Sequence, residues 1–185
     1  MSNSKDILSY SDIDLIKGCI DDDRHFQEAL YKRFANKMYN ISLTYSFDEQ
    51  EASDIMQEGF IKVFRNIHTF NNNGSLEGWV RKIIVNTALD FYRKRKRKDE
   101  VFENNYSSES ASVEGVLDNI NAKDIVRLVN QLPIKASMVL KLYAIEGYNH
   151  KEIAEIMEIS EGTSKSQLNR ARILLKEAIA KKDGQ

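Results

Sequence analysis

Residues 148–175, YNHKEIAEIMEISEGTSKSQLNRARILL, read as two short amphipathic helices joined by a tight turn. In the first, His150 to Met157, the residues Ile153, Ala154, Ile156 and Met157 face inward. Glu158, Ile159 and Ser160 form the turn, and Ser160 is a good N-cap for the second helix. That helix sets Leu168, Ala171, Leu175 and Ala178 on one face at helical spacing. Its opposite face carries Thr163, Ser166, Asn169 and Arg170, with Lys165 and Arg172 on the flanks. A helix of this kind, held at an angle by a partner helix, can enter the DNA major groove. Transcription, rather than catalysis, is the first expectation.

Composition agrees with a soluble globular protein of one or two domains: 185 residues, 30% charged and 42% hydrophobic. No apolar run approaches the ~20 residues of a membrane span, so no membrane insertion is expected. The polar, acidic start, MSNSKDILSYSDID, does not read as a signal peptide. Cys19 is the only cysteine, which rules out an intrachain disulfide and fits a small core residue. These features point to the cytoplasm.

The net charge of −1 argues weakly against a nucleic-acid binder, but its distribution says more. Arg81 to Lys98 holds eight bases and one acid, and Asp99 to Asp124 holds seven acids and one base. Glu161 to Lys182 holds six bases and two acids. Two basic blocks around an acidic one suit two DNA contacts joined by a linker that avoids DNA.

The chain outside its middle reads as helical, with Pro133 the only proline and no period-2 alternation. Ser11 can cap a first helix through Cys19, with Asp12 and Asp14 suiting its positive end. A second helix is expected from about Asp23 to Leu43, with Phe26, Leu30, Phe34, Met38 and Ile41 as its seam. A third is expected from about Glu49 to Ile67. Its buried side is Met56, Phe60, Val63, Phe64 and Ile67; its outer side is Asp54, Glu58, Ile61 and Arg65, flanked by Gln57 and Lys62. An isoleucine in an acidic patch suits a protein partner. Residues 71–74, NNNG, break the chain, and Ser75 starts a fourth helix to about Lys96. That helix has apolar faces on either side of a polar stripe of Lys82, Asn86, Asp90 and Arg93, and it ends in six consecutive bases, 93–98. Such a run exceeds what a helix end needs and suits phosphate. The Asn-rich loop between Phe70 and Trp79 suits unstacked single-stranded bases.

Residues 97–121 are Ser-, Asn- and Glu-rich and read as a linker. A second helical domain starts near Ala122. It has one helix holding Ile125, Leu128 and Val129, a stop at Leu132-Pro133, and another from Ile134 to Glu146 ended by Gly147. The expected fold is all-α: two small helical domains, residues 1–98 and 122–185, joined by an acidic linker over 99–121. No catalytic set, metal-ligand spacing, phosphate loop or cofactor motif is present among His25, His68, His150 and the carboxylate runs.

The ordered combination is specific. Asp54-x-x-Gln57-Glu58-x-Phe60 is followed by Phe70 and a polar loop, then Trp79 and a helix ending in bases. A linker, Leu132-Pro133 and EIAEIMEISEGTSKSQLNRAR complete it. It resembles the bacterial sigma-70 family of sigma factors, and within it the two-domain extracytoplasmic-function (ECF) group. The resemblance covers about residues 23–98 and 122–180. It implies that Asp54, Gln57, Glu58 and Ile61 dock on the β′ clamp helices of core RNA polymerase. It also implies that the loop with Phe70, Asn71, Asn72 and Asn73, together with Trp79, Lys82, Asn86 and Arg93, takes the melted minus-ten strand. The C-terminal domain would bind the β flap. It would read the minus-thirty-five element through Ser160, Thr163, Ser164, Lys165, Ser166, Gln167, Asn169, Arg170 and Arg172. The acidic linker would suit the basic RNA exit channel. An anti-sigma factor is a further implied partner, covering Ile61 and the surface between domains.

Departures from the family pattern fall in the helix-turn-helix. Glu158 stands where glycine is common, Ser164 replaces a valine on the core line, and Gln167 and Ser137 replace arginines. Ser164's hydroxyl would need a partner. Residues 148–175 alone also fit a regulator that binds duplex DNA without polymerase, and the third helix and the basic helix end discriminate against it. A protein that only sequesters other factors would leave the recognition-helix residues without purpose.

Overall fold

The computed structural model describes residues 10–71, 73–102 and 128–183. The chain divides into two compact units, residues 1–98 and 99–185. The described residues are helical, with no strand among them.

Polar side chains set the helix starts. Ser11 opens α1 (Asp12–Ile20) with a capping box: its hydroxyl accepts from the Asp14 amide at 3.1 Å, and the Asp14 carboxylate takes the Ser11 amide at 3.2 Å. The Ser11 hydrogen bonds hold the Asp14 carboxyl below its ordinary value. Asp23 caps α2 (Arg24–Tyr45), and Asp48 caps α3 (Glu49–Asn66) by accepting the Glu51 amide at 2.7 Å. A 3-10 turn, Ile67–Thr69, follows α3. Ser75 accepts the Gly78 amide at 3.1 Å at the start of α4 (Leu76–Phe102).

The α4 boundary corrects the sequence expectation. The helix continues through Asp99, Glu100, Val101 and Phe102, the first residues of the expected linker. No glycine or proline interrupts this stretch, and Lys, Arg and Glu are good helix formers. The rest of the expected linker lies outside the described residues, as does Ile125.

The core of the first unit is apolar and close-packed. It takes Leu15, Ile16 and Cys19 from α1, and Leu30, Phe34, Met38 and Tyr45 from α2. From α3 it takes Ala52, Ile55, Phe60 and Val63, so the buried stripe starts one turn earlier than expected, and Met56 and Phe64 sit half-buried on its flank. Gly59 lets α3 approach α4 closely: an added Cβ would meet the fully buried Ile84, 3.6 Å from its Cα. Gly18 does the same for α1 and α2, facing Phe26.

In the second unit, residues 128–130 are helical, and Pro133 precedes α5 (Ile134–Ala144). Gly147, at φ +76°, turns the chain so that the Tyr148 amide reaches the Leu142 carbonyl at 3.0 Å. Then come α6 (His150–Met157) and α7 (Glu161–Asp183). Leu132, Ala136 and Ala171 form the centre of the core, with Leu140, Leu174 and Leu175 packed against it. Ile153, Met157 and Leu168 extend it between α6 and α7.

This packing has two measurable consequences. Gly18→Ala places a methyl 2.6 Å from Phe26 Cβ, which rotation of the ring cannot relieve. It should cost about 2 kcal/mol, read as a lowered urea midpoint at unchanged m-value. Cys19 is 5% exposed, and burial, then the Asp23 charge, push its thiol up to about 11. Thiolate-seeking reagents should leave it unlabelled in the native protein and label it on unfolding.

Candidate functional site

On α3 the outer face carries Asp54, Gln57 and Ile61 in solvent, with Ile61 50% exposed. Gln50 donates to Asp54 at 3.3 Å. Glu58 is half-buried and engaged: it pairs with Lys62 at 3.2 Å. Lys62 also reaches Asp90 of α4 at 3.0 Å, and Asp90 holds Arg93 at 2.9 Å. Partial burial pulls the Lys62 ammonium down, but hydrogen bonds to Asp90 and Glu58 outweigh it and raise its pKa. A four-residue polar chain thus joins the face expected to meet a protein to the stripe expected to meet a strand.

On that stripe Lys82 and Asn86 lie exposed one turn apart, and Arg93 is half-buried in its pair with Asp90. Phe70 and Trp79 pack on each other, ring centroids 5.6 Å apart at 60°, at the foot of the loop. Asn71 accepts the Asn73 amide at 3.2 Å, and Gly74 takes φ +114°. Asn72 lies outside the described residues.

The basic helix end is divided in its duties. Arg95 grips Glu51 of α3 through one Nη, at 3.0 and 3.2 Å, and covers the Phe47 ring at 5.6 Å. Lys94 lies over Phe91 at 5.4 Å and is exposed. Part of the run expected to seek phosphate therefore ties α4 to the acidic first turn of α3. That partner is forty-four residues away and has no local sequence signal.

In the helix-turn-helix, Asn149 and Glu152 form a capping box at 3.0 and 2.8 Å. Glu158 takes the left-handed conformation, φ 54° and ψ 51°, and the Ile159 amide returns to the Ala154 carbonyl at 3.0 Å. The turn keeps the glycine-type geometry with a glutamate in it. Ser160 caps α7 by accepting the Thr163 amide at 3.0 Å, and its hydroxyl meets that of half-buried Thr163 at 2.9 Å. Lys165, Ser166, Asn169, Arg170 and Arg172 are exposed, while Gln167 is half-buried. Arg172 lies over the Tyr143 ring at 5.8 Å.

Ser164 does not belong with the residues that face outward. It is 0% exposed, and its hydroxyl sits 2.9 Å from His150 Nδ1. Its place on the line of Leu168 and Ala171 puts it in the core, where it cannot reach a base. The sequence does not single out His150 or Tyr143, which stack on one another beside this serine. The polar residue on the core line is the signal that a partner has to exist. Among the described residues no group of His, Cys, Asp and Glu could hold a metal ion.

Residues 30–98 match the family Sigma-70 region 2, and residues 122–175 match Sigma-70, region 4. The RNA polymerase sigma factor SigV of Bacillus subtilis is 30% identical over 149 residues, covering 78% of this chain and 86% of that protein. The ECF RNA polymerase sigma factor SigM of the same organism is 28% identical over 151 residues, covering 80% and 92%. The ECF RNA polymerase sigma factor SigE of Mycolicibacterium smegmatis is 29% identical over 159 residues, and the matched part spans 62% of its length. Among solved structures, the sigma factor RpoE in complex with the anti-sigma factor NepR from Bartonella quintana matches with a TM-score of 0.50. It is 20% identical, with 83% of this chain and 96% of that chain covered, and shows the likeness of fold alone. The chain belongs to the sigma-70 family, in its extracytoplasmic-function group. Its two regions are those of an RNA polymerase sigma factor.

The left-handed glutamate gives a direct test of the turn. Glu158→Gly removes a backbone strain of about 1 kcal/mol. Thermal unfolding of the full chain should show the second unit stabilised by about that amount.

Proposed function

We propose that this protein binds core RNA polymerase and directs it to promoters through two DNA contacts. Residues 1–98 bind the polymerase and take the minus-ten element, and residues 122–185 read the minus-thirty-five element, with 99–121 as the connection. The observation that carries this reading is the pairing of two surfaces in one chain. On α3 an exposed isoleucine stands among Asp54 and Gln57, and on α7 an exposed polar and basic face rises from the core.

Opening a promoter requires unpaired bases, and a protein that binds the unstacked strand shifts that equilibrium toward melting. Lys82 and Asn86 would lie along the strand beside the loop of Phe70 to Gly74. Phosphate contacts from Lys82, Lys94, Lys165, Arg170 and Arg172 would set register and make binding salt-dependent. Base contacts from Asn169 and its neighbours would discriminate by ~1–3 kcal/mol each. This chain makes and breaks no bond; the polymerase does the chemistry. An anti-sigma factor is a further proposed partner, with Ile61 in its contact.

The test is transcription by reconstituted core enzyme with and without the protein, followed by sequencing of the transcripts. Defined start sites sharing two upstream elements are the expected result, and their absence would sink the reading. A variant carrying Asp54→Ala and Gln57→Ala should lose at least about tenfold in core affinity while keeping its helical spectrum. A polymerase-independent regulator would show no such loss.

A further inference from the structure

A buried hydrogen bond ties the recognition helix to the helix before it. Ser164 is fully buried on α7, and a hydroxyl there without a partner would leave its desolvation uncompensated. His150, the first residue of α6, supplies the partner through Nδ1 at 2.9 Å. The same imidazole stacks on Tyr143 at the end of α5, with centroids 5.0 Å apart and planes 24° apart. Tyr143 in turn carries the Arg172 guanidinium at 5.8 Å. One ring of α6 therefore touches two other helices, and α7 is engaged at two points, one buried and one at its exposed face.

We propose that His150 is the positioning residue of the helix-turn-helix. Its bond to Ser164 and its stack on Tyr143 set the roll of α7 against α6, and so the direction in which Lys165, Ser166, Asn169 and Arg170 point. The apolar contacts of Ile153, Met157, Leu168 and Ala171 hold the helices together but are non-directional, so they tolerate a small roll. A hydrogen bond does not, because it weakens steeply off line. A roll of about 10° moves atoms at the helix surface by about 1 Å. That is enough to spoil a base contact. Arg172 is aimed by the same assembly, since its guanidinium rests on the ring that His150 supports.

The inference rests on the proposed minus-thirty-five reading, and the experiment separates the two. Holoenzyme reconstituted with the full chain is bound to a promoter fragment whose start site was mapped with the wild-type protein. A panel of single-base changes in its upstream element is bound alongside. His150→Phe keeps a stacking ring and loses the bond, and it should lose about tenfold in affinity for the intact element. It should also change the rank order across the panel, with core binding unchanged. His150→Asn retains a hydrogen-bonding atom near the place of Nδ1 but loses the stack on Tyr143, so it should stay nearer the wild-type order than His150→Phe. The double variant His150→Phe with Ser164→Val removes both polar groups, and should regain thermal stability without regaining the order. The inference is overturned if His150→Phe keeps the wild-type order. It is overturned equally if the double variant restores stability and order together, for the pair is then structural only. A wild-type holoenzyme indifferent to the upstream element overturns the reading and the inference together.

Discussion

The close approach of α3 to α4 at Gly59 and Ile84 is the constraint on which the first unit depends. A side chain at Gly59 would collide with the fully buried Ile84, whose side chain packs directly on the glycine and draws the two helices close. That separation lets Lys62, one turn along, reach Asp90, and lets Glu51, two turns back, reach Arg95. Neither pair contributes much by itself, since partly exposed ion pairs are worth about 0–1 kcal/mol. Their effect is geometric. They suit the rotation that the buried apolar face of α4 sets, in which Lys82 and Asn86 lie in solvent while Asp54, Gln57 and Ile61 are exposed on α3.

The second unit reaches the same end differently. Its helices are short, α6 only eight residues, and its core is small. Buried hydrophobic area alone specifies orientation weakly in such a unit. Direction comes from polar groups placed where apolar ones would pack: the Asn149–Glu152 capping box, the Ser160 cap and the His150–Ser164 bond. The strained Glu158 is held in this frame. A left-handed non-glycine residue costs about 1 kcal/mol and persists only where its surroundings over-determine it. Asp22, at φ 58° after α1, is the parallel case in the first unit.

Legibility in the sequence obeys a physical rule: local chemistry can be read and distant pairing cannot. Ser11 and Ser160 announce helix starts because the capping interaction spans three residues, and Gly74 and Gly147 announce turns because no other residue takes those φ values freely. The face of α4 is set by helical periodicity, and that of α2 follows it as far as Met38, after which Ser42 and Tyr45 are buried in place of the expected Ile41. The α3 stripe is shifted from its expected place because Ala52 and Ile55 sit beside equally apolar Met56 and Phe64, and periodicity cannot rank them. The end of α4 lies beyond its expected place because a change in charge sign looks like a boundary and is not one. The core line shows that Ser164 needs a partner but not which one, and the engagement of Arg95 is not legible at all, for one reason. Each has its partner in another helix, Glu51 and His150, and only the folded backbone brings them together.

Charge shows why a chain of net −1 is compatible with a grip on DNA. Exposed charges feel one another over about 8–10 Å at physiological salt, so a phosphate senses the local surface and not the total. The fold sorts the charges accordingly. Glu51, Glu58 and Asp90 are occupied by Arg95, Lys62 and Arg93 within the first unit, while Lys82 and Lys94 stand in solvent along α4. On α7 the pattern repeats, with Lys165 within 3.9 Å of Glu161 at the helix start and Arg170 and Arg172 exposed beyond it. Acids collected at α-helix N-termini also serve the helix dipoles, as Asp12 and Asp14 do in α1 and Glu49 and Glu51 in α3. The acidic residues thus stabilise helix starts and align basic helices, and the cations they leave in solvent face outward on the two surfaces expected to meet DNA.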